Sequence, residues 1–259
     1  MNNRHGLLRL VKTISLVLIL GVSMNADAGL FGFGGDSWKE EVLLHDGSKI
    51  IVERSQSYGG RHEIGQSPPI KEQDITFTLP NTSTTIEFKS EYGEDIGRAN
   101  FKLLALHILN GTPYIVTSPN LCLSYNKWGR PNPPYVFFQY DSKAWKRIAL
   151  EELPTEFKEI NLVVNSKGEG KILTAQSIVT AELVKKLNGE LEQPEYKTIL
   201  REAYPGAAGG CSEMIRTNDG WEGLGFLKSQ PSYEACSKYC DRKGINQKKC
   251  PCETLFKGK

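Results

Sequence analysis

Two polar loops carry the residues whose types and spacing could do chemistry. The first, 58–69, contains Arg61, His62 and Glu63 in succession. A guanidinium at Arg61 could grip a carboxylate or phosphate, and His62 and Glu63 could act as an acid–base pair if the fold brings both onto one site. Adjacent residues of a strand face opposite ways, so the sequence favours an ordered surface loop over a catalytic pair.

The second loop, 124–135, combines prolines with aromatic and amide side chains. Trp128 and Tyr135 offer flat stacking faces, and Arg130 and Asn132 offer directional hydrogen bonds. Prolines stiffen the loop, so that little entropy is lost when it binds a partner, and the mixture suits a sugar ring or a peptide. The alternative is that Trp128 and the prolines cap one end of a β core.

Other signatures of catalysis or metal binding are missing from the sequence. It has four histidines but no HExxH spacing, nucleophile elbow or phosphate-binding loop. We expect His45 to be a surface residue at a strand end, and His107, within an apolar run, to be a hydrogen-bonded core or sheet histidine. The sequence therefore predicts no cofactor and no metal, and favours a protein that is not an enzyme.

Six cysteines dominate the end of the chain. Five lie in the last fifth (Cys211, Cys236, Cys240, Cys250 and Cys252), and Cys122 stands alone upstream. An even number in an exported chain indicates disulfides, and the odd number in the tail makes Cys122 the natural partner of one of them. The competing interpretation is a zinc site formed by Cys236, Cys240, Cys250 and Cys252, although the Cys-x-Cys spacing is unusual for zinc.

An export signal is predicted at the start of the chain. Arg4, Arg9 and Lys12 precede an apolar run over 14–24, and 26–28 supply a small-x-small cleavage site. No later apolar run is long enough to cross a membrane. We therefore expect residues 1–28 to be a signal peptide and the mature protein to be periplasmic or secreted.

The rest of the chain divides by pattern into four parts. Residues 29–36 are rich in Gly and Phe and predict a flexible spacer. Residues 37–168 alternate in hydrophobicity with period two and contain Asp-Gly and Asn-Gly hairpin signals. Residues 169–204 predict a helical segment, and 205–259 a disulfide-rich tail. The predicted fold class is mainly β, a barrel-like or sandwich-like antiparallel meander, with a small α-helical, Cys-rich C-terminal region.

Three local patterns predict individual elements within these parts. Thr180 followed by apolar residues at helical spacing predicts an N-cap and a helix through about Gly189. Pro194 predicts the first turn of a second helix that extends to Arg201. Leu162-Val163-Val164 predicts one more strand.

Charge excludes one class of partner. The formal net charge is only +2, and the chain lacks a basic patch interleaved with aromatic residues. Nucleic-acid binding is therefore not expected.

Segments 59–66 and 128–138 resemble those of a group of exported bacterial proteins of unassigned function. The resemblance covers the β region. It implies export and a shared fold, and it transfers no catalytic residue.

Together these observations predict a non-enzymatic periplasmic binding or envelope-interaction module. Arg61, Trp128 and Arg130 would contact an unknown envelope protein, peptide or carbohydrate. One alternative is a periplasmic hydrolase of carbohydrate or peptide that uses His62 and Glu63. Another is a structural subunit of an envelope complex.

Overall fold

A computed structural model describes residues 35–256. The predicted signal peptide, 1–28, lies outside the described residues, as does most of the predicted spacer, 29–36. The first strand begins at Gly35, so the last two residues of that range belong to the β region.

Sheet 1 is a four-stranded antiparallel meander in chain order. Its strands are β1 (Gly35–Leu43), β2 (Lys49–Tyr58), β3 (Ile70–Thr78) and β4 (Thr85–Ser90). In β2 and β4 buried and exposed residues alternate, because one face packs inward and the other meets solvent. Gly47, in the turn between β1 and β2, has φ +84°, as the Asp-Gly hairpin signal requires.

Sheet 2 is a second antiparallel meander of four strands. Its strands are β7 (Phe101–Leu109), β8 (Thr112–Pro119), β9 (Val136–Tyr140) and β10 (Trp145–Ile148). Asn110 and Gly111 join β7 to β8, with φ angles of 50° and 75°. A small hairpin, β5 (Tyr92–Gly93) and β6 (Arg98–Ala99), precedes the sheet, and helix α1 (Leu121–Lys127) follows β8.

Both faces of sheet 2 are buried. Apolar side chains of the two sheets form one cluster, in which Val52 and Phe77 of sheet 1 join Leu106 and Ile115 of sheet 2. The other face of sheet 2 packs against the chain that follows it, including Phe157. Burial of this apolar area is the main stabilising contribution to the β region. The predicted fold class is confirmed: mainly antiparallel β sheets with a small helical C-terminal region that contains cysteines.

The predicted strand over 162–164 is wrong, because side chains take its backbone groups. The Val163 N–H donates to the Glu40 carboxylate (2.7 Å), and the Val164 N–H donates to the Asn188 side-chain oxygen (3.1 Å). The Leu162 carbonyl accepts from the same Asn188 amide (2.8 Å). The Leu162 N–H donates to the Leu104 carbonyl of β7 (3.0 Å), but the segment bends at residues 162 and 164 and, although buried, joins no sheet ladder.

Of the two predicted helices, only the first forms. After α2 (Gly170–Thr174), helix α3 (Ala181–Gly189) begins where predicted, and the Thr180 hydroxyl accepts from the Leu183 N–H. The second helix is limited to one 3₁₀ turn, Pro194–Tyr196, because Ile199 turns into the core and its N–H donates to the Lys158 carbonyl (2.8 Å).

The tail folds around its cysteines. Its elements are β11 (Met214–Thr217), β12 (Gly220–Gly223), α4 (Leu224–Lys228), α5 (Tyr233–Arg242) and α6 (Cys252–Phe256). The disulfides are Cys122–Cys211, Cys236–Cys252 and Cys240–Cys250. Cys122 belongs to α1, so one bridge joins the tail to the β region, as the cysteine count predicts. Within residues 35–256, no helix has the length and apolar character needed to cross a membrane.

A buried ion pair interrupts the apolar layer between the sheets. Glu40 is 0% exposed and Arg54 2% exposed, and 3.2 Å separates their charged groups. The carboxylate also accepts from the indole N–H of Trp38 (2.8 Å), and the guanidinium donates to the Val163 carbonyl (3.0 Å). These extra hydrogen bonds offset the desolvation of the two charges.

Candidate functional site

The first predicted loop uses its polar groups internally. Arg61, His62 and Glu63 are all exposed. The Nδ1 of His62 lies 2.8 Å from the carbonyl oxygen of Gly60, and Glu63 accepts from the Gln66 amide (3.3 Å). His62 and Glu63 therefore bond separately to their own loop, and no hydrogen bond between them is found in the described chain.

Arg130 and Asn132 hold the tail. The guanidinium of Arg130 donates to the carbonyls of Cys211 (2.9 Å) and Ser212 (3.1 Å). Asn132 exchanges two hydrogen bonds with the backbone of Tyr204, at 3.2 and 3.0 Å. Both side chains fasten the C-terminal region to the β region.

Tyr135 is part of the core, and Trp128 is half-buried against it, so neither ring is a free stacking surface. The Trp128 ring packs on Phe101, with centroids 4.5 Å apart. Tyr135 is only 2% exposed, and its hydroxyl lies within hydrogen-bond distance of the Glu195 carbonyl (3.0 Å) and accepts from the Leu200 N–H (3.3 Å). This placement matches the capping alternative.

A polar cleft of about 470 Å³ brings one predicted residue, Arg61, close to the tail. Arg216 and Trp221 of the β11–β12 hairpin line it as well. Two of its three acidic groups have cationic partners, since Asp95 pairs with Lys127 (2.9 Å) and Asp219 pairs with Lys243 (2.8 Å), and the third, Glu94, is exposed to solvent. No side chain that lines the cleft is among the described groups that are buried without a hydrogen-bond partner.

A different pocket has unsatisfied groups at its wall. It measures about 550 Å³ and lies between the β1–β2 turn, β7, residues 156–161 and α3. Leu43, Leu44, Ile160 and Val184 give it apolar walls, and His45 and His107 bring two imidazoles. We call it the imidazole pocket.

The environment of His107 fixes its tautomer. The residue is 1% exposed, its ring stacks on Phe157 at 4.6 Å and 10°, and its Nε2 lies 3.0 Å from the Glu159 carbonyl. A carbonyl only accepts, so Nε2 carries the hydrogen. Burial, with a smaller contribution from nearby His45, lowers the pKa of His107 to about 4, although the hydrogen bond to Glu159 acts in the opposite direction. At neutral pH the ring is therefore neutral, and Nδ1 is a bare acceptor.

His45 presents a second unsatisfied nitrogen. Its ring meets Phe157 edge-on, and its centroid is 6.5 Å from that of His107. In the described chain, three buried side-chain nitrogen or oxygen atoms have no hydrogen-bond partner, and two of them are the Nδ1 atoms of His45 and His107. Buried polar atoms are rarely left unpaired, so two of them in residues that line one pocket make this pocket the candidate site.

The zinc alternative in the tail is not formed. Among the described residues, Cys240, Cys250 and Cys252 are the one group of three metal-ligating side chains whose ligand atoms lie within 4.8 Å of one another. All three are in disulfides, whereas zinc is bound by thiolates.

The sequence prediction missed the imidazole pocket because its two histidines come from separate elements, His45 from the β1–β2 turn and His107 from β7. His45 was expected at a surface and is half-buried, whereas His107 is a sheet histidine as expected. The available signal was a histidine inside the apolar run of β7, which requires a polar partner for each nitrogen. Only one of its nitrogens finds that partner.

Comparisons with known proteins add no relative. No protein-family model, curated protein or solved structure matches the chain.

Proposed function

We propose that the protein is an exported, non-enzymatic binding module whose imidazole pocket takes a small primary amine with an apolar body. The observation that carries this proposal is the pair of buried, unpartnered Nδ1 atoms at the wall of one cavity. The predicted signal peptide and the disulfides support export.

The chemistry of the pocket favours an amine. The bare Nδ1 of the neutral His107 ring accepts hydrogen bonds, and an ammonium group has three hydrogens to donate. Glu156 and Glu159 line the pocket beside Lys158 and Lys185, and Glu182 is paired with Lys49 (3.1 Å), so no excess of cationic groups opposes an ammonium. The apolar walls would bury the remainder of the ligand.

Binding is better supported than hydrolysis. A histidine whose pKa is about 4 is a weak base at neutral pH and a poor proton acceptor in catalysis. The described residues that line the pocket include no hydroxyl or thiol nucleophile. The role of a structural envelope subunit leaves the two unpartnered nitrogens unexplained.

Calorimetry with hexylamine and benzylamine tests the proposal. We expect saturable binding by the wild-type protein, and a loss of at least about tenfold in affinity for His45→Leu, which removes one imidazole and keeps the wall apolar. The matched control is His62→Leu, at an exposed histidine outside the pocket. Absence of amine binding, or an equal loss in both variants, would refute the proposal.

A further inference from the structure

A second pocket, separate from the imidazole pocket, is lined by cationic groups. It measures about 220 Å³ and lies where β3, β6 and β7 meet the start of α1 and residues 164–167. Arg98, Lys102 and Lys167 line it, and no carboxylate is among its described lining residues. The two pockets share no lining residue.

Arg98 is the unusual member of this group. Its side chain is half-buried, yet within residues 35–256 it has no ion pair and its guanidinium makes no hydrogen bond. Burial without a compensating charge lowers the pKa of this guanidinium below its ordinary value. By contrast, the buried guanidinium of Arg54 is paired with Glu40. Five donor hydrogens at Arg98 are thus available to a ligand.

The two lysines add charge without neutralising one another. The Lys102 ammonium donates to the Tyr196 hydroxyl (3.2 Å), and the Lys167 ammonium donates to the Pro68 carbonyl (2.7 Å). Both acceptors are uncharged groups, which hold the ammonium groups in place and leave their charges uncompensated. Three positive charges therefore surround a small cavity.

Neutral polar groups complete the wall. Gln73, Asn120, Asn165 and Ser166 also line the pocket. Its volume is below the range of about 300–1,000 Å³ typical of sites for organic ligands. The space is therefore suited to a small ion or to the terminal group of a larger molecule.

From these contacts we infer that the pocket binds a tetrahedral oxyanion, a phosphate or sulfate group, with the Arg98 guanidinium as its principal contact. The planar fork of arginine matches the spacing of two phosphate oxygens and donates to both. Lys102 and Lys167 would balance the remaining charge of the anion. This site is independent of amine binding in the imidazole pocket.

Titration calorimetry with inorganic phosphate, sulfate and phenyl phosphate tests the inference. We expect saturable binding of inorganic phosphate, reduced at least about tenfold in Arg98→Gln and about threefold in Lys167→Gln. The control is Arg242→Gln, which removes a charge from an exposed residue of the tail and should leave binding unchanged.

The remaining measurements distinguish a free anion from the terminal group of a phosphomonoester, and they include the outcomes that would refute the inference. Binding of phenyl phosphate as tight as that of inorganic phosphate would identify the terminal group of a phosphomonoester, and its exclusion would identify the free ion. Absence of saturable binding of all three probes overturns the inference. So does an affinity of Arg98→Gln equal to that of the wild-type protein, with thermal unfolding of both proteins recorded to confirm that they are folded.

Discussion

The loop over 124–135 and the imidazole pocket both contain aromatic and polar side chains but differ in how their polar atoms are satisfied. In the loop, Arg130 and Asn132 bond to the backbone of the tail. In the pocket, His45 and His107 each keep one buried nitrogen without a partner. In the sequence, the aromatic and cationic residues of the stiff loop are the stronger indication of a binding site. The buried atoms without a partner nevertheless lie in the imidazole pocket.

The difference separates two uses of polar side chains. A group that bonds to its own chain contributes to stability, and its loss leaves buried partners unpaired. A buried group without a partner destabilises the free protein and gains a partner only when a ligand arrives. Changes in the loop should therefore affect stability, whereas changes in the pocket should affect binding and pH dependence.

The largest effect should follow from removal of the Cys122–Cys211 disulfide, which fastens the loop region to the tail. The bridged cysteines are 89 residues apart, and loop-closure entropy predicts a loss of about 4–5 kcal/mol in the free energy of unfolding. The matched control is the Cys240–Cys250 bridge, with a separation of 10 and a predicted loss of about 3 kcal/mol. Urea unfolding of the two Cys→Ser double variants measures both. Equal losses would show that the long bridge constrains the chain no more than the short one.

The next largest effect concerns pH and the pocket. The pKa of His107 falls from its ordinary 6.5 to about 4 on folding, so the unfolded chain binds a proton more readily than the folded one. Protonation of His107 therefore leaves the free energy of unfolding unchanged above about pH 6.5 and reduces it by about 3 kcal/mol as the pH drops to about 4. Urea unfolding measured between pH 4 and 6.5 gives the slope of the unfolding free energy against pH. We expect His107→Gln to lack the part of this slope that His107 contributes.

His62→Gln is the control for the pH experiment. His62 is exposed, so its replacement should leave the slope as in the wild-type protein. A slope that disappears in His62→Gln and persists in His107→Gln would reverse the assignment of the buried imidazole.

A smaller effect is expected from Arg130→Ala. This change removes charge-assisted hydrogen bonds to Cys211 and Ser212, and we expect a loss of about 2 kcal/mol in unfolding free energy and faster proteolysis of the tail. Arg242→Ala, at an exposed position, should change stability by less than about 0.5 kcal/mol. If Arg130→Ala unfolds like the wild-type protein but loses hexylamine binding, the loop rather than the pocket is the binding surface.

Local signals in the sequence were sufficient to predict the hairpins and one helix. Gly47 and Asn110-Gly111 adopt the positive φ angles that their turns require, and Thr180 caps α3. These features depend on a few neighbouring residues, and steric and hydrogen-bonding rules apply to them directly. The cysteine count likewise identified the partnership of Cys122 with the tail.

Features that depend on distant residues could not be predicted. The strand expected over 162–164 is replaced by bonds to Glu40 and Asn188, which come from other elements. The pocket needs His45 from the β1–β2 turn and His107 from β7, and both rings pack against Phe157. A sequence shows residue types, whereas the presence or absence of a hydrogen-bond partner is a property of the assembled fold.

The buried pair of Glu40 and Arg54 has a consequence for how the chain avoids incorrect pairing. Strands β1 and β2 are held in register with Glu40 opposite Val52. A slip of β1 by one residue would turn Glu40 to the solvent face and leave Arg54 buried without its carboxylate. Such a mispaired hairpin would carry an uncompensated charge into the apolar layer. The pair thus selects one alignment during assembly and disfavours mispaired forms that could associate through their strand edges.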